Sequence, residues 1–214
     1  KTVTLKDRVA AGMLSRNWAV PGLNDKDSAG LDVAAGVLGG MASSRFANEL
    51  VRKEKLFTQL SADNSDFAQI GVFSINGLVQ PGVDPAVAAQ RLDAVIADFL
   101  RTGPTADEVS RYVTATISAR LRSLESVNGK ASVLAEGALY SNDPGFYKKE
   151  LAELAAQTPA SVKAAADKWL SRPVLAVNVV PGARDAYAEA KVPPKVDVVA
   201  APDQPAKGTR GAMP

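Results

Sequence analysis

Asp25-Lys26-Asp27-Ser28-Ala29-Gly30-Leu31-Asp32-Val33-Ala34-Ala35-Gly36-Val37-Leu38-Gly39-Gly40-Met41-Ala42-Ser43-Ser44-Arg45-Phe46 holds two helical stretches and the corner that joins them. Leu31, Ala34, Ala35 and Leu38 recur at helical spacing on one stripe, so a helix begins near Asp25. Gly39-Gly40 closes it, where a left-handed residue is cheap. Ser43 or Ser44 then caps a second helix, expected from about Ser43 to Lys55, with Phe46, Leu50 and Val51 facing inward. A phosphate cradle is the other reading of the glycines. The segment lacks the Gly-Lys-Ser/Thr ending of a P-loop, however, and comes after a helix where a strand is required. Gly39, Gly40, Ser43, Ser44 and Arg45 therefore read as a helix-to-helix corner.

Outward from this corner, residues 1 to about 22 are extended. Thr2, Val3 and Thr4 open one strand, and Met13, Leu14, Trp18 and Val20 populate another before the Pro21-Gly22 turn. On the other side, Leu56 to Ala62 and Ala68 to Val79 are strand-like, with Ile70, Val72 and Phe73 partly buried and Asp63-Asn64-Ser65-Asp66 as the turn between. Helices dominate the chain after Val79. Asp84-Pro85, Asp143-Pro144 and Thr158-Pro159 each place a capping oxygen before a proline at the first helical position. Thr105-Ala106-Asp107-Glu108 is a capping box, and Val109, Tyr112, Val113, Thr116, Ile117, Leu121 and Leu124 then keep helical rhythm over about five turns. A last strand runs from Val174 to Val180. Strands, then helices, then a returning strand describe an α+β domain with helices mainly on one face of the sheet. That domain is expected over residues 1–184. Residues 185–214, rich in Pro and Ala, read as a linker or tail.

The chain has 214 residues, 46% hydrophobic and 22% charged, with 25 Lys plus Arg against 23 Asp plus Glu and a net charge of +2. That balance argues against a nucleic-acid partner, which demands a basic face. No apolar run approaches the roughly 18 residues that would span a membrane. The sequence has no His and no Cys. There is accordingly no Ser-His-Asp triad, no thiol nucleophile, and no imidazole or Cys-rich metal site. The chain opens on Lys1 and reads as a piece of a longer polypeptide.

The remaining candidates for chemistry are ordinary. Glu49 and Glu54 stand about 140° apart around a helix, so they do not converge as an acid/base pair. Asp63 and Asp66 read as turn residues. Arg52-Lys53-Glu54-Lys55 is a cationic helix end that complements the helix dipole, although Arg52 could alternatively offer its planar fork to a peptide carbonyl. Arg120 and Arg122 read as solvated or in ordinary ion pairs. The residues alone give a stable domain with no self-contained active site.

Several of these segments, taken in order, resemble the pitrilysin/insulinase family of zinc metallopeptidases. The stretch Leu38-Gly39-Gly40 to Ser43-Ser44-Arg45-Phe46 is similar to that family's Gly-rich corner. Leu50 to Thr58, Gly82-Val83-Asp84, Gly103-Pro104-Thr105-Ala106-Asp107-Glu108, Asp143-Pro144-Gly145-Phe146 and Trp169-Leu170 continue the match colinearly, so the likeness covers about residues 3–182. The family is built from paired homologous α+β halves that close around a peptide. One half carries an H-x-x-E-H zinc motif; this chain resembles the other, C-terminal half, of the mitochondrial-processing-peptidase type as well.

The resemblance implies that this chain binds no cofactor and that zinc sits in the missing N-terminal half. Its partners would be that zinc-carrying half, in the same polypeptide or a partner subunit, and a peptide substrate. Active members place an Arg and a Tyr here to hold substrate across the chamber. Arg52 falls on the Arg position. The Tyr slot falls on Thr58 after a one-residue shortening, so the aromatic hydroxyl is missing. The chain would then be the substrate-clamping, chamber-forming half of a zinc endopeptidase, inactive alone, or a non-catalytic assembly subunit with the same fold. The long members suggest a periplasmic or exported bacterial protein.

Overall fold

Strand β2 (Met13–Pro21) points Leu14, Arg16, Trp18 and Val20 to one side and Ser15, Asn17 and Ala19 to the other. The first set is buried, and this alternation gives the sheet one covered face. A computed structural model describes residues 1–184. In it five strands are ordered β1-β5-β2-β4-β3. β4 (Ile70–Val79) is antiparallel to both β2 and β3 (Phe57–Asp66). β5 (Leu175–Pro181) inserts between β2, to which it is antiparallel, and β1 (Thr2–Asp7), to which it is parallel. The expected tail at residues 185–214 lies outside the described residues.

The helix layer begins with α1 (Ser28–Ala35), which runs straight into a wide π-helical turn, Gly36–Gly40. A second wide-turn helix, Ala47–Lys53, comes after the corner. Then come α2 (Pro85–Thr102), α3 (Ala106–Ser123), α4 (Val127–Ser141), α5 (Tyr147–Ala155) and α6 (Pro159–Leu170). The starts legible in the sequence are made by side chains. Asp84 accepts from the Ala86 amide at 2.9 Å, and Thr105 and Glu108 form both halves of the capping box. Thr158 caps α6 with Pro159 at its first turn.

Between sheet and helices lies one apolar core. Leu31, Leu38, Phe46, Leu50, Phe73, Leu92 and Phe99 are all 0% exposed. Each such side chain contributes on the order of 1.5–3 kcal/mol of burial. Arg16 is the charged exception, 4% exposed. Its guanidinium forks onto Asp93 at 2.8 and 3.1 Å and donates to Asn178 Oδ1 at 3.0 Å, tying α2 to the sheet.

Three local expectations are corrected. Asp63-Asn64-Ser65-Asp66 is not a turn: it is the end of β3, in register with Ser74, Phe73, Val72 and Gly71 of β4, because ladder hydrogen bonds override the turn-like composition. Gly39 and Gly40 are not left-handed; among the described residues only Gly82, Gly103, Lys55 and Asn142 have positive φ. Asp143-Pro144 does not open a helix directly. Asp143 Oδ1 accepts from the Gly145 amide at 2.7 Å in a turn, and α5 starts at Tyr147.

Candidate functional site

The Gly-rich corner is a packing joint. A Cβ on Gly39 would lie 2.3 Å from the Ala62 amide nitrogen, so only glycine lets this turn touch β3. A Cβ on Gly36 would meet the Tyr112 ring at 2.0 Å. Ser44, 1% exposed, accepts from the Ala47 amide at 3.3 Å, and the Ser43 carbonyl accepts from Asn48. Arg45 reaches out of the corner to Glu108, donating to both carboxylate oxygens at 2.9 Å. It also donates to the Gly103 carbonyl at 2.8 Å and stacks 5.2 Å from the centre of the Phe99 ring. Burial works to raise the Glu108 carboxyl, but the hydrogen bonds from Arg45 and Thr105 outweigh it and hold the group below its ordinary value.

Arg52 and Thr58 lie on either side of the chain reversal that leads into β3. Arg52 is exposed at the end of the Ala47–Lys53 helix, its Nη1 donating to Asn48 Oδ1 at 2.6 Å. That helix closes through Lys55, which is left-handed at φ 54, and the Leu56 amide returns to the Leu50 carbonyl at 2.9 Å. Thr58 is the extra residue of a β-bulge, since Phe57 faces Val79 and Gln59 faces Leu78. Its exposed hydroxyl donates to the Leu78 carbonyl at 3.2 Å. Glu54, at the cationic helix end, is forked by Arg91 of α2 at 2.6 and 2.9 Å.

The sheet face away from the helices carries Ser15, Asn17, Ser74, Asn76, Ser61 and Asp63 across β2, β4 and β3. Ser61, Asp63 and Asn76 are exposed, and Ser15 Oγ donates to Asn76 Oδ1 at 2.9 Å. This polar band is flanked by the exposed apolar residues Met13 and Leu5 on one side and Ile70 on the other.

Sequence reading missed a cavity of about 120 Å³ on the opposite, helical side. Asp32 enters it from α1, Asp66 from β3, Tyr112 and Arg120 from α3, Glu136 from α4 and Glu150 from α5. The Asn64 amide donates to Asp32 Oδ1 at 2.8 Å, and the Ser28 hydroxyl donates to Asp66. Burial, reinforced by Asp66 and Asp63, pushes the Asp32 carboxyl up to about 7 despite the Asn64 bond. Burial likewise raises Glu150. The available signal was Asp32 itself, a carboxylate one residue from Leu31 on a helix otherwise read for its apolar stripe.

Among the described residues no group of three or more His, Cys, Asp or Glu is arranged to hold a metal, and the donor set does not fit a zinc centre. No helix among them is long and apolar enough to cross a membrane. The chain matches the family model of the peptidase M16 inactive domain over residues 1–116. No curated protein matches it.

Solved structures do match. The chain is similar to a protease from Helicobacter pylori at 20% identity and a TM-score of 0.77, over 84% of this chain and 44% of that one. It is similar to a peptidase M16 inactive domain from Pseudomonas fluorescens at 18% identity and a TM-score of 0.73, over 86% and 45%. It is also similar to the periplasmic protease PqqL from Escherichia coli at 17% identity and a TM-score of 0.69, over 85% and 20%. It thus spans less than half the length of these proteins. At such identities the structures speak for the fold. The family match covers more than half of the sequence, and with it the chain belongs to the peptidase M16 inactive domain family.

Proposed function

We propose that this domain is the substrate-clamping wall of a peptidase chamber whose zinc is held by a separate, catalytic half. The observation that carries the reading is the bare sheet face. A band of Ser and Asn side chains lies open beside exposed apolar residues, while Leu14, Trp18, Val20, Phe73 and Ile75 of the covered face are buried. Such a surface suits a wet chamber that receives peptide backbone, because it can exchange hydrogen bonds without a large desolvation cost.

Arg52 is the residue proposed to meet the substrate. Its exposed fork can donate to a peptide carbonyl or to charge developing on it. Thr58 is proposed as a shorter-reaching donor beside it. Zinc in the other half would supply the activated water.

The test uses the full-length parent protein and a quenched fluorescent peptide, with and without chelator. Chelator-sensitive cleavage is expected, with Arg52→Ala lowering kcat/KM by about tenfold or more. Chelator-resistant cleavage by the isolated 214-residue chain, or stoichiometric zinc on it, would overturn the reading. A second reading, a non-catalytic assembly subunit, is favoured by the Thr58 hydroxyl being engaged already by the Leu78 carbonyl. Absence of cleavage by the parent over a broad peptide library selects it.

A further inference from the structure

We propose that the sheet face away from the helices has two halves with different work, and that the apolar half is where the zinc-carrying half docks. The inference rests on the pairing of this domain with a catalytic half; it does not rest on substrate clamping. Strand register defines the patch. Leu5, Val179, Met13 and Leu78 stand side by side across β1, β5, β2 and β4 as one apolar row. In the next row Val3 and Val177 are apolar, and Ser15 and Asn76 begin the polar band. In the third, Leu175 of β5 adjoins Asn17 and Ser74. Past the first row, the boundary between the halves therefore lies between β5 and β2.

Exposure here is out of keeping with position in the fold. β5 and β2 are interior strands, paired on both sides, yet Met13 is 51% and Leu175 43% exposed. No charged side chain interrupts the first two rows. A continuous apolar surface with a polar rim marks a protein contact. The exposed apolar residues of α4 form no comparable face, since Val127 and Leu139 point about 120° apart around that helix.

Size and charge select the occupant. Three strand spacings by four residues of rise make a patch of about 14 by 13 Å, roughly 200 Å² of sheet. A stable complex of two free copies needs about 800 Å² from each, which this patch falls far short of. Paired domains meet over as little as about 600 Å² in total, or about 300 Å² each, and the patch suffices as the core of such a contact. Being uncharged, it fits an apolar segment of the catalytic half; a charged one would lose its water without gaining a partner.

The experiment is N-ethylmaleimide labelling of the full-length parent protein carrying Met13→Cys, Leu175→Cys or, as control, Val87→Cys on α2. This chain has no Cys of its own, and each introduced thiol is read by mass spectrometry of the peptide that bears it. Met13 and Val87 are equally exposed in this domain, 51% and 48%, so an uncovered face gives equal rates. Docking should make Met13→Cys and Leu175→Cys react at least about tenfold more slowly than Val87→Cys. Adding Met13→Asp to the Leu175→Cys protein puts a carboxylate into the contact and should restore fast labelling. Labelling needs no turnover, so a parent that cleaves nothing can still be tested in full. Shielding of Ser61→Cys as well would count against the open chamber wall and not against docking. Equal rates at Met13→Cys and Val87→Cys would overturn the proposal. A disulfide joining two Met13→Cys copies on oxidation would assign the face to a second copy and overturn it too.

Discussion

Arg45 and Glu108, 63 residues apart in sequence, meet as a planar fork on a carboxylate with two bonds of 2.9 Å. The same Glu108 oxygen that accepts from Arg45 Nη2 also accepts from the Thr105 amide, at 2.7 Å. One carboxylate thus closes the capping box of α3 and fastens the Gly-rich corner to it. With side chains 14% and 16% exposed, the pair is largely out of water. Replacing Arg45 by Ala should cost about 2–4 kcal/mol of stability, because it leaves a desolvated carboxylate behind. Arg45→Lys should recover only part of this, since an ammonium cannot fork. Urea denaturation of the two variants checks both.

The same carboxylate sets an acid limit. Its pKa is depressed in the folded state, so its contribution is complete above the unfolded carboxylate value and disappears as pH falls through the lower, folded one. Wild-type stability should therefore drop below about pH 4, and Glu108→Gln should flatten that part of the curve. Melting temperatures measured from about pH 6 to pH 3 are the check.

Asp32 works in the opposite sense. Its carboxyl is raised to about 7, so between the unfolded value and about 7 the folded state holds the extra proton. Stability then falls as pH rises across that window. Asp32→Asn should remove the decline and raise stability at about pH 8 by on the order of 1–3 kcal/mol, read from denaturation at about pH 6 and about pH 8.

Gly39→Ala should be severely destabilising, by about 3 kcal/mol or more, because the new methyl meets backbone at 2.3 Å and not a side chain that can swing away. Gly40→Ala is the internal control. A Cβ there has its nearest neighbour at 3.5 Å, and alanine is the better helix former, so the change should be neutral or stabilising by up to about 1 kcal/mol.

Lys55→Gly should stabilise the domain by about 0.5–1 kcal/mol, since φ 54 is strained for a side chain with a Cβ. A rise in melting temperature with unchanged activity of the parent protein would agree; a fall would mean that the Lys55 side chain holds something the backbone does not.

What the sequence discloses is local. Asp84-Pro85, Thr105 to Glu108 and Thr158-Pro159 can be read as helix starts because capping is completed within four residues. The α+β class comes from the order of strands, then helices, then a returning strand, together with the helical rhythm on α3. Asp63 to Asp66 mislead because turn composition is a weak preference, overridden here by four ladder partners on β4. The wide turns at Gly36–Gly40 and Ala47–Lys53 are hidden, since over five or seven residues an apolar stripe barely distinguishes them from an ordinary helix. Arg45 is legible as part of the corner, yet its partner is not, and the cavity around Asp32 draws residues from five elements that no linear spacing unites.

The placement of β5 bears on how the domain is made in the cell. Lys1 and Val174 are hydrogen-bonded across 173 residues, and β1 touches the sheet through β5 alone. On a ribosome, the first strand of this domain must wait for its last one, roughly 10–30 s later at ordinary elongation rates. Until then β2, β4 and β3 can assemble with the early helices, while β1 trails as an unpaired arm and the flank of β2 stays open. That interval is when a nascent chain is most exposed to proteases and to mispairing with its neighbours, and β5 ends it by filling both vacancies at once.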